Sequence, residues 1–408
     1  MGKYILTFAD QAILSFTNFT TSILLARVLN KKDYGIYIIL LSMLLFIQSV
    51  QSAVITYPMA TLGNIYKEYE VTDYFGALFY CQVIISLILV TAGLVFAFLF
   101  LGFGNISFLA TCGLLFLSWQ NQEFLRKMLL AKHDSGAAII NDAISYGLQL
   151  ILIIVSFSFD ILTLDQAILI MGLTSLLAVI YGLYQCKNYF HLPLKFKSFI
   201  LDNWNFGKWL LAANTLTWTS SHAFNYLAAI FIGLQGPAIL QACGNIMGPT
   251  NIILIGLENI IAPIAAQKYK HSGIPVLKRY LDKIALTGIL GLIGYVLMVG
   301  FFSRQILDFL YKGTYNGYSH IIWLIAGAYV FSFIMRINAI GLRTVIKTKK
   351  IFWAYLISTI VMLVAGIPLV MFLSIEGAAI GSMLTAAITG TIVYLSFKSE
   401  IRAAQWRG

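Results

Sequence analysis

Charge is what this chain lacks most. Asp, Glu, Lys and Arg make up only 11% of its 408 residues, while 60% are hydrophobic and the mean hydropathy is +0.85. A soluble globular domain carries roughly a quarter charged residues, so a water-covered fold is excluded. Cysteine is also sparse: Cys81, Cys112, Cys186 and Cys243 all lie in apolar runs and form no CxxC pair. They read as buried packing residues. The histidines have no HExxH or similar spacing, so no metal site is expected. No GxxxxGK[ST] phosphate loop is present, which excludes ATP hydrolysis within the chain as a power source. Neither is there a GxSxG elbow. The longest stretch expected to face outward, 303–319, offers only Arg304, Asp308 and Lys312, with His320 at its edge, a thin platform for catalysis. No enzyme and no cofactor are expected.

What the sequence has instead is twelve apolar runs, each near the roughly 20 residues that a helix needs to cross a ~30 Å hydrocarbon core. They cover 5–28, 36–61, 76–101, 106–125, 136–158, 165–186, 209–232, 237–265, 284–302, 320–342, 351–373 and 377–397. The expected fold is an all-α integral membrane protein of twelve transmembrane helices. The first run contains Asp10 and lacks a small-residue cleavage site, so it reads as a retained span rather than a signal peptide. With the N-terminus placed in the cytoplasm, 21 of the 27 Lys and Arg fall on the cytoplasmic side and five outside, with Arg336 inside a span. This asymmetry predicts two cytoplasmic termini, and it explains the +11 charge without nucleic acid.

The inner segment 187–208 separates six spans from six. The expected organisation is a six-helix lobe at 1–186, a connecting loop at 187–208, a second lobe at 209–397 and a tail at 398–408. Six spans per half makes any internal repeat parallel. TYPMATLGNIYKEY (56–69) and IAPIAAQKYKHS (261–272) close the second span of each half alike, with a proline, small residues and Tyr-Lys.

The first span of each half carries a polar stripe. On a helical wheel Thr17 and Thr21 lie within about 20° of Asp10, and Asn18 about 80° away. In span 7, Trp218, Ser221 and Asn225 lie within about 40° of Asn214, with His222 about 80° away. Two such faces in equivalent positions predict a shared central cavity between the lobes. Charges within the bilayer normally pair or face water. Arg336 therefore either pairs with Asp142 or Glu258, or lines that cavity. Asp10 and Glu258 are the candidates to bind a coupling ion. Arg27 and Lys208 either snorkel or face inward. Pro58 and Pro263, inside spans 2 and 8, are candidate hinges, since proline removes a helix hydrogen bond.

FADQAILSFTNFTTSILLARVLNKKDYGIY (8–37) and LQGPAILQACGNIMGPTNIILIGLENIIAPIAAQKY (234–269) resemble stretches of polysaccharide flippases in the MOP exporter superfamily. The resemblance implies two six-helix lobes around a cavity lined by spans 1, 2, 7 and 8. It also implies a bacterial inner-membrane flippase carrying an undecaprenyl-diphosphate-linked O-antigen or capsule repeat unit to the outer leaflet by alternating access. Membrane lipids, and glycan polymerase and chain-length proteins, are the partners it implies. Cavity basics are few here (Arg27, Lys208, Arg336), which suits a hydroxyl-rich, weakly charged sugar. The alternatives are a multidrug exporter of the same superfamily, a peptidoglycan-precursor flippase, and a membrane-embedded glycan polymerase or ligase.

Overall fold

The computed structural model describes the backbone of residues 2–63, 66, 68–100, 106–132, 134–189 and 195–405. Side chains are described for 13–63, 66, 70–95, 106–132, 134–189, 195–251, 253–254, 258 and 260–403. Every regular element among the described residues is helical. In chain order these are α1 (Gly2–Val28), α2 (Lys31–Gln51), α3 (Tyr57–Leu62), α4 (Glu68–Phe100), α5 (Ile106–Ala131), α6 (Ser135–Asp142), α7 (Leu148–Ser158) and α8 (Leu164–Gln185). They continue with α9 (Phe196–Phe231), α10 (Gln235–Asn245), α11 (Gly248–Phe301), α12 (Ser303–Tyr311), α13 (Ile321–Thr344), α14 (Thr348–Val361) and α15 (Ile367–Gln405). Single π-helical turns join α2 to α3 (52–56), α6 to α7 (143–147) and α14 to α15 (362–366), so each pair forms one continuous rod.

Twelve passes follow once two breaks inside long helices are counted. In α11 the backbone turns at Gly273 (φ 69°), two residues before Pro275, and in α15 it turns at Ser374 (φ 52°). A left-handed φ is free for glycine and costs an L-residue about 1 kcal/mol. Ser374→Gly is therefore expected to raise stability by about 1 kcal/mol. The readout is the thermal midpoint of the purified protein in detergent. An unchanged or lower midpoint would show that the Ser374 side chain contributes more than its backbone costs.

Contacts divide the chain into two compact units, residues 1–29 with 40–215, and 30–39 with 216–408. The division comes later than the segment 187–208 expected to join two lobes. That segment is also not a loop throughout, because α9 starts at Phe196. Its first turns dock inside the first unit: Lys195 pairs with Glu70 at 2.8 Å, Tyr66 donates to Asp202 at 2.7 Å, and Tyr74 donates to Asn203 at 2.6 Å. Spaced Lys and Asp residues made 196–203 look like solvated loop, yet Phe199 and Asn203 are buried there.

In the first unit α5 packs chiefly on α8. Gly172 allows this, since a Cβ there would meet the Leu115 backbone at 3.2 Å. A core of Ile55, Met59, Phe75, Leu78, Phe124 and Met128 fills the space toward α4. In the second unit the corresponding pair is α13 on α15. Gly390 brings it close, with a Cβ only 2.9 Å from the Phe331 carbonyl. These pairs are spans 4 and 6 of one half and spans 10 and 12 of the other. The π-helical turns at 143–147 and 362–366 likewise fall in spans 5 and 11. The two halves thus repeat in packing as well as in hydropathy.

Residues 30–39 join the second unit through one polar knot. Asn245 donates to the phenol oxygens of Tyr34 (3.2 Å) and Tyr311 (3.3 Å), and Tyr311 donates to the Ala242 carbonyl (3.1 Å). Lys31 lies 5.1 Å from the centre of the Tyr318 ring, a cation–π contact. Gly35 completes the knot, because a Cβ there would stand 1.6 Å from the Leu234 carbonyl oxygen.

Candidate functional site

The densest polar construction in the first unit was not anticipated from the sequence. It is carried by α5, whose apolar run is interrupted by Gln120-Asn121-Gln122-Glu123 and, one turn later, Arg126. Four consecutive helical positions point in four directions 100° apart, so each side chain must find a different neighbour. Glu123 and Arg126 turn toward α6 and the π-helical turn at 143–147. Arg126 Nε donates to Asp142 at 2.6 Å, and its Nη1 is 3.5 Å from Glu123. The Tyr146 hydroxyl donates to the other Glu123 oxygen at 2.9 Å. Gln122 donates to Asp142 and to Asn141, each at 3.1 Å, and Asn141 donates to the Ala178 carbonyl at 2.7 Å. Glu123, Arg126 and Asp142 are all buried.

Arg126, which follows the apolar run 106–125 directly, lies within α5, and Asp142, one of two carboxylates the sequence offered to Arg336, pairs with it instead.

The stripe of span 1 is split. Thr17 and Thr21 are buried within the unit. Thr17 donates to the Tyr146 carbonyl at 3.5 Å, and Thr21 accepts from Gln149 at 3.4 Å. Hydroxyls one turn apart find partners on span 5, so this part of the stripe joins helix to helix. Asn18, off that axis, is exposed. Arg27 is half-buried, and its Nε has no partner among the described residues. Asp10 lies in α1, but its side chain falls outside the described residues.

On α9, Lys208 is exposed and donates to Asn205 at 3.3 Å, while Asn214 donates to the Ser49 carbonyl at 3.1 Å; both belong to the first unit. Trp218, Ser221, His222 and Asn225 belong to the second unit. There the Trp218 ring stacks obliquely against His222 and Tyr226, at 5.4 and 5.6 Å between centres. Ser221 donates to the Thr217 carbonyl.

The second unit holds a charged cluster between α11 and the C-terminal half of α13. Glu258 on α11 accepts from Arg336 at 3.1 Å and from Arg343 at 2.7 Å, one arginine on each oxygen. Arg336 thus takes the second of the two partners the sequence left open. Two guanidiniums on one carboxylate leave a positive unit. With side chains 33% and 56% accessible, the arginines keep N–H donors free to meet an anion. The candidate hinges differ from each other. Pro58 directly follows the π-helical turn, which has already shifted the hydrogen-bond register. Pro263 sits in regular helix, and α11 instead breaks at Gly273.

Seven described helices are long and strongly apolar enough to cross a membrane by a stricter measure of hydropathy, and α5 and α9, which carry many of these polar residues, are not among them. No group of three or more His, Cys, Asp or Glu suited to a metal ion occurs among the described residues.

No family model and no curated protein sequence matches the chain. Solved structures do. The chain is similar to a multidrug resistance MATE family transporter of the MOP superfamily in an inward-facing conformation (12% identity, 97% of this chain and 95% of that one, TM-score 0.70). It is also similar to a MOP superfamily transporter from Pyrococcus furiosus whose binding pocket is described as having reverse polarity (13%, 98% and 95%, TM-score 0.64). An outward-facing MATE structure matches with a TM-score of 0.60 over the same share of each chain and at 13% identity. The chain therefore has the twelve-helix fold of the MATE transporters of the MOP superfamily.

Proposed function

We propose that the chain is a membrane exporter that moves an amphipathic substrate across the bilayer by alternating access. The observation that carries this is the match of nearly its whole length to transporters of that fold. Two of these three neighbours are named as multidrug resistance transporters, which favours small amphipathic compounds as cargo over the oligosaccharide that the sequence resemblance implies. The basic bias of one side supports placement in a bacterial cytoplasmic membrane with both termini inside.

A second reading, a lipid-linked oligosaccharide flippase, is favoured by a specific observation. The Glu258–Arg336–Arg343 cluster presents two arginines with a net positive charge, as a diphosphate headgroup requires. The stretches 8–37 and 234–269 that resemble polysaccharide flippases support the same reading. In this account Trp218 offers a stacking face and Asn225 an amide for sugar hydroxyls.

The two readings separate in cells lacking the gene. Drug export predicts greater sensitivity to cationic drugs with normal surface polysaccharide. The flippase predicts undecaprenyl-diphosphate-linked repeat units held on the cytoplasmic face and released when the gene is restored. Restoring the gene with Arg336→Gln and Arg343→Gln together is expected to leave at least tenfold less surface polysaccharide. Full recovery by that variant would remove the cluster from the flippase reading. If neither cargo responds to the gene, the exporter reading itself fails.

A further inference from the structure

The first turns of α9 are held in the first unit by one narrow stripe. Between 196 and 209 only Phe199, Asn203 and Gly207, spaced four apart, are buried. Gly207 lets the helix sit on span 2, since a Cβ there would stand 2.5 Å from the Ala53 carbonyl oxygen. Asn203 donates to the Val54 carbonyl at 3.1 Å. The residue that would ordinarily donate to that carbonyl, four positions on, is Pro58, which has no N–H. The irregular part of span 2 is thus a seat for the start of α9.

So slender a contact leaves a groove beside it. Val54, Cys81, Ile85, Ile200 and Trp204 line it, with Asn203, around a volume of about 130 Å³. Narrow apolar walls suit part of an acyl chain rather than a sugar or a peptide. The rim is basic. On a helical wheel Lys197, Leu201, Trp204 and Lys208 fall within about 60° of one another, and all four are exposed. Lys208 reaches back toward the start of the helix, to Asn205 at 3.3 Å, as a snorkelling lysine does. The acid of this stretch, Asp202, lies about 120–140° round the helix from the two lysines. It accepts from Tyr66.

The length of α9 sets the level of this rim. Its 36 residues rise about 54 Å, more than the ~40–45 Å of a whole bilayer with its headgroups. One end must therefore lie at headgroup level or beyond. The segment 187–208, at the start of the helix, carries Lys187, Lys195, Lys197 and Lys208 against the single acid Asp202. Tryptophan is enriched at headgroup level, and clustered lysines there attract anionic lipid.

We propose that the groove and its rim bind one anionic phospholipid, with an acyl chain beside Trp204 and the phosphate on Lys197 and Lys208. The site rests on reading this end of α9 as a membrane face, and not on which cargo the chain exports. The bound chain packs α9 against spans 2 and 3 and so steadies the seat.

The test is thermal unfolding of the delipidated full chain in detergent, titrated with dioleoyl phosphatidylglycerol or dioleoyl phosphatidylcholine. Phosphatidylglycerol is expected to raise the midpoint with half-saturation at a concentration at least fivefold lower than phosphatidylcholine requires. In Lys197→Gln/Lys208→Gln that preference should shrink to twofold or less. Lys278→Gln/Lys283→Gln removes the same charge from two exposed positions on α11 and should keep the preference. Cys81→Phe, which fills the groove, should weaken the response to phosphatidylglycerol at least threefold. Native mass spectrometry of the wild type, expected to retain one phosphatidylglycerol per chain, requires no variant to fold. Equal responses to the two lipids would overturn the proposal. So would a preference that survives Lys197→Gln/Lys208→Gln, or one lost equally in Lys278→Gln/Lys283→Gln, which would be diffuse attraction. A dimer that Trp204→Ala dissolves would put a second copy on the groove and overturn it too.

Discussion

Arg126→Leu is expected to destabilise the protein by about 3–5 kcal/mol, the range for breaking a buried ion pair from one side. The reason is bookkeeping of charge rather than loss of a contact. Asp142 and Glu123 are buried together, and Arg126 is the cation that touches both, at 2.6 and 3.5 Å. Removing it leaves two carboxylates facing each other in low dielectric, with Tyr146 donating to Glu123 and Gln122 to Asp142. Asp142→Asn alone should cost less, because the remaining Glu123 still balances Arg126. The double variant Arg126→Leu/Asp142→Leu should recover part of the loss, since removing both members of a buried pair is commonly near neutral. Unfolding of each variant in detergent gives the cycle. A cost below about 1 kcal/mol for Arg126→Leu would show that water reaches the cluster and that its charges are screened.

Gly35→Ala should be nearly as severe, about 3 kcal/mol or more, because the new methyl must displace backbone rather than a flexible side chain. Its Cβ would overlap the Leu234 carbonyl oxygen, and the shift would pull Tyr34 from Asn245. Gly93→Ala is the control. It lies within α4 with nothing within 4 Å of the added atom, and it is expected to be neutral or to stabilise by about 0.5–1 kcal/mol through helix propensity. Folded yield by size-exclusion profile, with thermal midpoints where protein survives, compares the two. Equal behaviour of the two alanine variants would contradict the close approach at Gly35.

The passes were legible because hydropathy reports burial in lipid directly, and span length follows from bilayer thickness. What stayed hidden was the choice of partner. The Trp119–Arg126 stretch, WQNQEFLR, reads as the charged end of span 4, since a run is trimmed where polar residues begin. The missed signal was that four adjacent polar residues cannot share one helix face, which implies polar neighbours on several sides. Arg336 had two carboxylates at compatible depth, and only the fold selects Glu258. The span 1 stripe illustrates a different limit. Periodicity showed that Asp10, Thr17 and Thr21 share a face, but a polar face toward a neighbouring helix and one toward water have the same period. Gly35 is held by a backbone 199 positions further along, at Leu234, a contact that no local pattern announces.

The central claim is transport, and reconstitution tests it most directly. The purified chain in proteoliposomes would be offered a fluorescent polyprenyl-diphosphate-linked sugar and, separately, a cationic dye, with movement read by quenching from one side. Protein-dependent movement of at least one cargo is the predicted result, and loss of lipid-linked sugar movement in Arg336→Gln/Arg343→Gln would assign the flippase role. Movement of neither cargo, by protein that is folded and inserted in both orientations, would contradict the account.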